Sequence, residues 1–136
     1  MRLEITRRAD LAVRAMVLLG SSPTRWKAPA LAEALDTTAG FVPQVIGPLV
    51  KAGWVRSEPG PTGGYSAQVS LAAGSVLQVI EAVDGATDTG RCVVEDRECG
   101  GEAPCSLHHA WSRARAELMQ TLAATPIAAV AEAPAS

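Results

Sequence analysis

The chain has 136 residues, of which 48% are hydrophobic and 4% are aromatic, and its formal net charge is −2 at pH 7. This length fits one domain, or one domain with a protruding helical arm. No apolar run approaches the roughly eighteen residues that a membrane span needs, and the N-terminus lacks the charged-then-apolar order of a signal peptide. We therefore expect a cytoplasmic protein without a membrane partner.

The cysteine count and the distribution of charge further limit the classes of function that the chain could have. Three cysteines cannot form a fully paired disulfide framework, and in the cytosol cysteines more often bind metal or sense redox state. Residues 1–60 carry eight Lys/Arg and five acids, whereas residues 61–136 carry four Arg and nine acids. This asymmetry fits a DNA-facing half and a separate sensing half, and it also fits an ordinary solvated surface.

The first helix is expected over about Arg7–Leu19, where apolar residues recur at helical spacing, and Gly20–Pro23 should end it. A short helix over Ala30–Leu35 and a second over Ala39–Lys51 follow. The intervening turn contains the pair Thr37–Thr38, either member of which could cap the second helix. This order is the helix-turn-helix pattern, whose second helix enters the major groove of DNA.

A β-hairpin directly after this motif would make it a winged helix. Trp54–Ser57 has the composition of a short strand, the next residues are rich in glycine and proline, and Tyr65–Ser70 alternates as a returning strand. The paired glycines Gly63 and Gly64 permit positive φ angles and a close approach to a sugar-phosphate backbone, and they equally suit a tight turn.

Two further helices flank a long segment without periodicity. Ser75–Val83 is apolar at helical spacing, and Pro104 is a natural first residue for a last helix that extends to about Ala123. The last helix has one apolar stripe, formed by Leu107, Trp111, Ala114, Leu118 and Leu122. A second copy of the chain would bury this stripe, so we expect a dimer. The closing residues AEAPAS should form a loose tail.

All three cysteines, Cys92, Cys99 and Cys105, lie in or next to this acidic, glycine-rich segment. A structureless run of about twenty residues inside a compact domain is improbable without a function or a tether. Three thiols on one metal centre would supply the tether, and their long spacers suit an iron–sulfur cluster better than the paired C-x-x-C of zinc modules. Placed in the first turn of the last helix, Cys105 should have a lowered thiol pKa.

Two residues are candidates for a fourth ligand. His108 lies three residues after Cys105 and would share its helix face, whereas Asp10 could approach from the first helix of either subunit. Both residues also suit an ordinary polar position on a helix surface. Three strong ligands and one weak ligand would suit a sensor, because a small molecule or an electron acts most readily at the weak position.

Together these motifs resemble the IscR, NsrR and RirA family of winged-helix iron–sulfur transcription regulators. The similarity runs from MRLEITRRADLAVRAM through FVPQVIGPLVKAGWV, the wing GPTGGY and SVLQVIEAVDG to the three cysteines and TPIAAV, which is nearly the whole chain. The resemblance implies a homodimer that binds an inverted-repeat DNA operator, usually as a repressor, and not an enzyme. It also implies a cluster on Cys92, Cys99 and Cys105, with His108 or Asp10 as the fourth ligand. The signal would be nitric oxide, iron or cluster supply, or redox state.

The second helix of the motif departs from the family pattern. Pro48 in its interior should remove a backbone hydrogen bond and kink it. Because no Arg or Lys occurs in it before Lys51, direct reading of guanine is disfavoured. The polar candidates near bases are Thr37, Thr38 and Gln44. The other candidates for DNA contact lie on the first predicted helix, the recognition helix and the wing: Arg7, Arg8, Phe41, Lys51, Arg56, Pro61, Thr62, Gly63, Gly64 and Tyr65.

The sequence therefore predicts a mostly α fold with a small β-hairpin wing, that is, a winged helix-turn-helix plus a long C-terminal dimerisation helix. Its parts would be a DNA-binding domain at 1–84, a cluster-binding loop at 85–104, and a dimerisation helix with its tail at 105–136. The iron–sulfur cluster would hold two or four irons. Two alternatives stay open: a regulator that senses through free thiols or zinc, and a small iron–sulfur carrier or scaffold.

Overall fold

The computed structural model describes residues 1–132, and this part of the chain is mostly helical with one antiparallel β-hairpin, which confirms the predicted fold class. No helix within it combines the length and apolarity that crossing a membrane requires. The elements in chain order are α1 (Arg7–Gly20), α2 (Ala28–Ala34), α3 (Val42–Lys51), β1 (Val55–Glu58), β2 (Gly64–Ala67), α4 (Val76–Asp84), α5 (His108–Ala123) and α6 (Ile127–Glu132).

The core lies where α1, α3 and α4 meet, and α6 packs against α1 at its edge. Helix α1 is central because its apolar residues recur every three or four positions and face both neighbours. The fully buried side chains are almost all aliphatic, which allows the helices to approach closely. The largest of them are Leu11, Met16, Leu31, Leu35, Ile46, Leu49 and Ile127.

The N-terminus of α1 is joined to the C-terminus of α4. The Thr6 hydroxyl caps α1 by accepting a hydrogen bond from the Ala9 amide at 3.0 Å, and it donates to the Asp84 carboxylate at 2.8 Å. The Arg8 guanidinium donates to the Val83 carbonyl at 2.8 Å and lies 3.8 Å from Asp84. Since Asp84 immediately precedes the cysteine-bearing segment, this junction connects that segment to the start of the winged domain.

The helix-turn-helix has the predicted order with different boundaries. Helix α2 is followed by Asp36 at φ 53°, a left-handed conformation that Asp tolerates better than most residues. The cap prediction for α3 was wrong, because a proline in its first turn sets its start and Phe41 occupies the N-cap position. Thr38 instead accepts from the Phe41 amide at 3.2 Å in the preceding turn. Helix α3 continues past Pro48 to Lys51, so the proline does not end it, and the predicted kink at this residue stays a prediction.

Strands β1 and β2 form the wing at the predicted place, and each is four residues long. Their antiparallel register pairs Val55 with Ala67. The segment before α2 adds a short third edge that the sequence did not predict: the Trp26 and Tyr65 amides each donate to the other residue's carbonyl, at 2.9 and 2.8 Å. Both aromatic side chains are partly buried against the core, so the wing is fixed at its base.

The C-terminal part differs from the prediction at the start of its long helix and after that helix, whereas the helix ends at Ala123 as predicted. Helix α5 begins at His108 rather than Pro104, because Cys105 lies in a turn in which its carbonyl accepts from the His108 amide at 3.1 Å. After α5 the chain turns back and forms α6, whose Ile127 is fully buried and joins the hydrophobic core. Of the predicted tail AEAPAS, residues 131 and 132 are helical, and residues 133–136 lie outside the described part of the chain.

Candidate metal centre and DNA interface

The cysteine-bearing segment has a defined backbone despite its lack of sequence periodicity. The Cys92 amide donates to the Arg97 carbonyl at 2.8 Å, and the Cys99 amide donates to the Gly90 carbonyl at 3.0 Å. These bonds and an isolated antiparallel bridge beside them fold residues 90–99 into a miniature hairpin. The two ends of the first span between cysteines are therefore brought together.

The structure brings the three thiols to one point. The Sγ atoms of Cys92, Cys99 and Cys105 all lie within 4.8 Å of one another, and all three residues are half-buried free thiols. Soft thiolate ligands select zinc, copper(I) or iron–sulfur clusters. The arrangement can therefore hold a metal ion or cluster, or it can exchange thiol and disulfide states.

His108 reaches the same point from the first residue of α5. Its Nδ1 lies 3.2 Å from the Cys99 Sγ, and the Cys105 amide donates to that sulfur at 3.4 Å. A cavity of about 240 Å³ adjoins the sulfurs and His108 and is lined on the far side by Trp111 and Arg115. The structure thus places a ring nitrogen beside Cys99 and open space beside the three thiols, while His108 is not part of the group whose ligand atoms all lie within 4.8 Å of one another.

The surrounding groups give two of the thiols different acidities. The Glu95 and Val94 amides each donate to the Cys92 sulfur at 3.4 Å and lower the pKa of Cys92 to about 7. Desolvation and the neighbouring thiols raise the pKa of Cys105. The expected lowering for Cys105 was wrong, because this residue lies in the turn before α5 rather than in the first turn of the helix.

Asp10, the other predicted fourth ligand, lies apart from the cysteines of its own chain. It is on α1, and its carboxylate is 3.7 Å from the Arg14 guanidinium one turn further on. No carboxylate joins the group of converging sulfurs within residues 1–132. A second subunit could therefore bring Asp10 to the centre, whereas His108 already contacts Cys99 within one chain.

Two residues that border the site were not predicted from the sequence. Arg115 lies two turns after His108 on α5, and its guanidinium donates to the Asp88 carboxylate at 3.2 Å. Asp88 also accepts from the Gly90 amide at 3.1 Å, and Gly90 in turn binds the Cys99 amide. A chain of hydrogen bonds thus connects α5 to the central cysteine. The seven-residue spacing from His108 could have indicated Arg115, but no local signal indicates its partner.

The predicted DNA-contact residues of the helix-turn-helix differ in exposure. Thr38, Gln44 and Lys51 are exposed, whereas Thr37 and Phe41 are half-buried and Phe41 packs against the core. Gln44 lies in the first turn of α3, the part of a recognition helix that meets base edges in this class of domain. The three exposed residues are therefore the members of this set that are open to a DNA surface.

The predicted phosphate-binding arginines differ in how strongly their guanidinium groups are engaged by other groups of the chain. Arg8 is held by the end of α4, as described above, and the Arg56 guanidinium lies 3.0 Å from the Glu58 carboxylate. Arg7 is exposed and makes one long contact, 3.5 Å, with the Asp36 carbonyl. Among these three arginines, Arg7 has the guanidinium that is most available to a phosphate.

Two basic residues before α2 hold the wing in place, a role that was not predicted from the sequence. Arg25 donates to the Thr62 carbonyl at 3.1 Å and forms an ion pair with Glu58 at 2.8 Å. The Lys27 ammonium donates to the Gly63 carbonyl at 3.2 Å. These contacts fix the orientation of the hairpin relative to the helix-turn-helix.

The paired glycines of the wing are required for packing within the chain. A Cβ on Gly63 would overlap the Glu58 carbonyl, and one on Gly64, at φ 135°, would lie 2.7 Å from the Trp26 carbonyl oxygen. Gly63 is buried and Gly64 half-buried, while Pro61–Thr62 is exposed at the tip. The glycines thus shape the hairpin, and the exposed tip is the part that can meet a backbone.

A helix-turn-helix followed by a hairpin wing, with three thiols converging beyond it, defines a winged-helix transcriptional regulator with a candidate sensor site. The chain belongs to the Rrf2 family, described as iron-dependent transcriptional regulators, whose pattern it matches over residues 5–133. This confirms the family recognised from the sequence and a regulator rather than an enzyme. Membership implies binding to DNA, and it gives no support to the carrier or scaffold alternative.

Similar proteins are described as regulators of the same kind. An HTH-type transcriptional regulator of Neisseria meningitidis serogroup A, NMA1593, is 26% identical over 132 residues, which cover 96% of this chain and 88% of that protein. The transcriptional regulator IscR of Vibrio cholerae is 32% identical over 111 residues, covering 80% of this chain and 64% of IscR. The chain therefore matches somewhat less than two thirds of the length of that relative.

Solved structures share the fold at lower identity. The oxidized form of CymR from Staphylococcus aureus has a TM-score of 0.75 at 21% identity, covering 98% of this chain and all of that one. CymR of B. subtilis, described as its global cysteine regulator, gives 0.76 at 20% identity, with 96% and 97% coverage. The IscR of T. potens gives 0.73 at 19% identity, with 98% and 94% coverage. These likenesses establish the winged-helix fold.

Proposed function

We propose that the chain is a transcriptional repressor whose operator binding is controlled by an iron–sulfur cluster on Cys92, Cys99 and Cys105, with His108 as the fourth ligand. The observation that carries this proposal is the convergence of the three sulfurs within 4.8 Å, on a loop between the winged domain and α5. The family's description as iron-dependent regulators and the similarity to IscR support iron as the metal.

The chemistry of the donor set suits such a cluster. Thiolates are the usual ligands of iron–sulfur clusters, and histidine replaces cysteine at some of them. When bound, a two-iron or four-iron cluster would supply a centre that reacts with nitric oxide or oxidants and that reports iron supply. The chain's contribution is to hold the sulfurs together, to place the His108 ring against Cys99, and to leave a cavity beside them.

Hydrogen bonds provide a route from the site to the DNA-binding domain. Arg115 and Asp88 connect α5 to the loop, and Asp84, at the start of the loop, binds Thr6 and Arg8 at the beginning of α1. A change in the loop would therefore act on the start of α5 and on the junction between α1 and α4. We propose that this changes the spacing of two winged domains on an inverted repeat.

The homodimer in this proposal uses α5. No residue of α5 is buried within residues 1–132, and Leu118 in its apolar stripe is 46% exposed. A second copy packed along this helix would remove the stripe from water. On the DNA side, Thr38 and Gln44 would lie near bases, while Arg7, Lys51 and the wing tip Pro61–Thr62 would contact phosphates.

Anaerobic purification and operator titration test the proposal. The purified protein should show broad visible absorption with iron and acid-labile sulfide in comparable amounts. Holo and cluster-free protein should differ at least about tenfold in operator affinity at one fixed salt concentration, since salt alone changes such affinities. A protein that stays colourless after reconstitution would contradict the cluster, and equal operator affinities would contradict the control.

A second candidate is a regulator that senses through zinc or through free thiols. It is favoured by the short sulfur separations, because Zn–S bonds of about 2.3 Å in a tetrahedron place the sulfurs about 3.8 Å apart. The same experiment separates the two candidates. Zinc without sulfide would indicate a zinc site, and operator affinity that changes with oxidant in the absence of metal would indicate thiol sensing.

A further inference from the structure

One side chain binds both spans between the cysteines. The Nε atom of Arg97 donates to the Glu95 carboxylate at 2.7 Å, and its Nη1 donates to the carbonyls of Glu98 and Ala103 at 3.1 and 3.2 Å. The Arg97 carbonyl also accepts from the Cys92 amide at 2.8 Å. Arg97 thus connects the span before the second cysteine to the span after it.

The second span needs such a connection. It contains Gly100 and Gly101, both at positive φ, and it forms no helix or strand. Glycine-rich segments lose much conformational entropy when they become ordered. A contact that orders this span before any ligand arrives removes part of that entropy cost from ligand binding.

The guanidinium also places a positive charge in the loop that carries the thiols, where it pairs with Glu95. An arginine side chain stays protonated in proteins, so this charge is permanent. The other arginine of the miniature hairpin, Arg91, pairs with Asp96, a side chain that is 98% exposed, and this ion pair does not reach the second span. Arg97 therefore combines a contact to both spans with a fixed charge in the cysteine-bearing loop.

We propose that Arg97 is a positioning residue for the metal centre, which preforms the three-sulfur site and offsets its negative charge. This inference rests on the proposed metal-binding function and assigns it a residue that is not itself a ligand. Contacts that orient metal ligands typically change metal affinity by about 10- to 100-fold when they are removed. A nearby positive charge should also favour the more negative, reduced state of a cluster.

Cobalt(II) titration of the reduced, metal-free protein tests the preforming role. Binding is followed by the sulfur-to-cobalt charge-transfer absorption. Arg97→Gln should weaken cobalt affinity by about tenfold or more, and Arg97→Lys, which keeps the charge but loses the forked donor, should fall in between. Arg113→Gln is the matched control, since it removes the same charge from the exposed surface of α5 and should behave as the wild type.

The possible results separate this inference from the proposed function. If the wild type shows no thiolate-bound cobalt, the metal site itself is contradicted, and Arg97 with it. If the wild type binds cobalt and the cobalt dissociation constant of Arg97→Gln is within about twofold of the wild-type value, the metal site stands and the role of Arg97 is overturned.

The midpoint potential of the reconstituted cluster is a second measurement. It would not change if Arg97 only supported the fold of the loop. Arg97→Gln should lower the potential and Arg97→Lys should restore most of it, because lysine keeps the positive charge. Thermal unfolding checks the fold. Because the side-chain hydrogen bonds of Arg97 go to Glu95, Glu98 and Ala103 in the loop, the midpoint of Arg97→Gln should match that of Arg113→Gln. Should Arg97→Gln unfold early, Glu95→Gln keeps the arginine and weakens one acceptor, and an unchanged cobalt affinity in it would count against the inference.

Discussion

The Nδ1 atom of His108 lies 3.2 Å from the Cys99 sulfur, whereas the Asp10 carboxylate is engaged with Arg14 on α1. We therefore expect His108→Ala to reduce the iron retained per subunit after reconstitution and to change the visible spectrum. Asp10→Ala should leave both unchanged and cost at most about 0.5 kcal/mol of stability, as exposed ion pairs do. Iron analysis and anaerobic visible spectra of the two variants measure the retained iron and the spectral change. The opposite result would place the fourth ligand on the second subunit.

Alkylation of the metal-free, reduced protein should begin at Cys92. With a pKa of about 7, its reactive thiolate fraction should rise about fivefold from pH 6 to 7 and less than twofold from pH 7 to 8. The rate at Cys105, whose pKa is raised, should keep increasing about tenfold per pH unit over the same range. Iodoacetamide labelling followed by peptide mass mapping measures both rates. Fastest labelling of Cys105 would show that the amides of Glu95 and Val94 do not stabilise the Cys92 thiolate.

The neighbouring arginines of α1 should respond differently to replacement. Arg8→Ala removes the 2.8 Å bond to the Val83 carbonyl and should lower the free energy of unfolding by about 1 kcal/mol, since the guanidinium is partly exposed. Arg7→Ala should leave stability unchanged and weaken DNA binding, with the slope of log affinity against log salt reduced by about 1 for each subunit, or about 2 for the proposed dimer. Thermal unfolding and operator titrations at several salt concentrations test the pair. Equal loss of DNA affinity at unchanged stability would contradict the internal role of Arg8.

Replacement of Gly63 by alanine should disrupt the wing. The new Cβ would overlap the Glu58 carbonyl, which is backbone and cannot move without opening the hairpin. We expect operator affinity to fall at least about tenfold, because the wing tip loses its position. Gly47→Ala is the matched control for folding, since a Cβ at that position would meet no atom within 4 Å, and it should stabilise α3 by up to about 1 kcal/mol. A Gly63→Ala protein with wild-type operator affinity would exclude the wing from DNA binding.

Leu118→Glu should convert the proposed dimer into a monomer. The substitution places a charge in the apolar stripe of α5, where burial against a second copy would be costly. Gln120→Glu adds the same charge at another exposed position of α5 and should leave the dimer intact. Light scattering coupled to size-exclusion chromatography distinguishes the two masses. A wild-type monomer would contradict the dimer, and a dimeric Leu118→Glu variant would move the interface away from this stripe.

The elements that the sequence predicted well are those specified by local patterns. Helical periodicity defined α1 and α4, and the glycine- and proline-rich turn defined the wing, because these signals depend on neighbouring residues alone. Helix α6 was missed because Thr125–Pro126 resembles a chain end and the following segment is short. Its position depends on the burial of Ile127 against α1, more than a hundred residues earlier, which no local pattern reveals.

The residues of the candidate site also fall into those that the sequence predicted and those that only the fold reveals. The three cysteines could be grouped from residue type and an otherwise unexplained loop, and the structure brings their sulfurs together. The partners of the arginines could not be predicted, because arginines that bind carbonyls and arginines that could bind phosphates look alike in a sequence. Only the fold shows that Arg8 binds the Val83 carbonyl and that Arg115 binds the Asp88 carboxylate.

Helix α5 is held at its far end, where the Val76 amide donates to the Thr125 carbonyl and the Ile127 amide to the Gly74 carbonyl, both at 2.9 Å. Its sixteen residues span about 24 Å, so a shift of about 4 Å at the cysteine end would correspond to a tilt of about 10° around that fixed end. A second subunit packed along the helix would turn through the same angle. Such a rotation would change the spacing between the two recognition helices and so their match to the two half-sites of an inverted repeat.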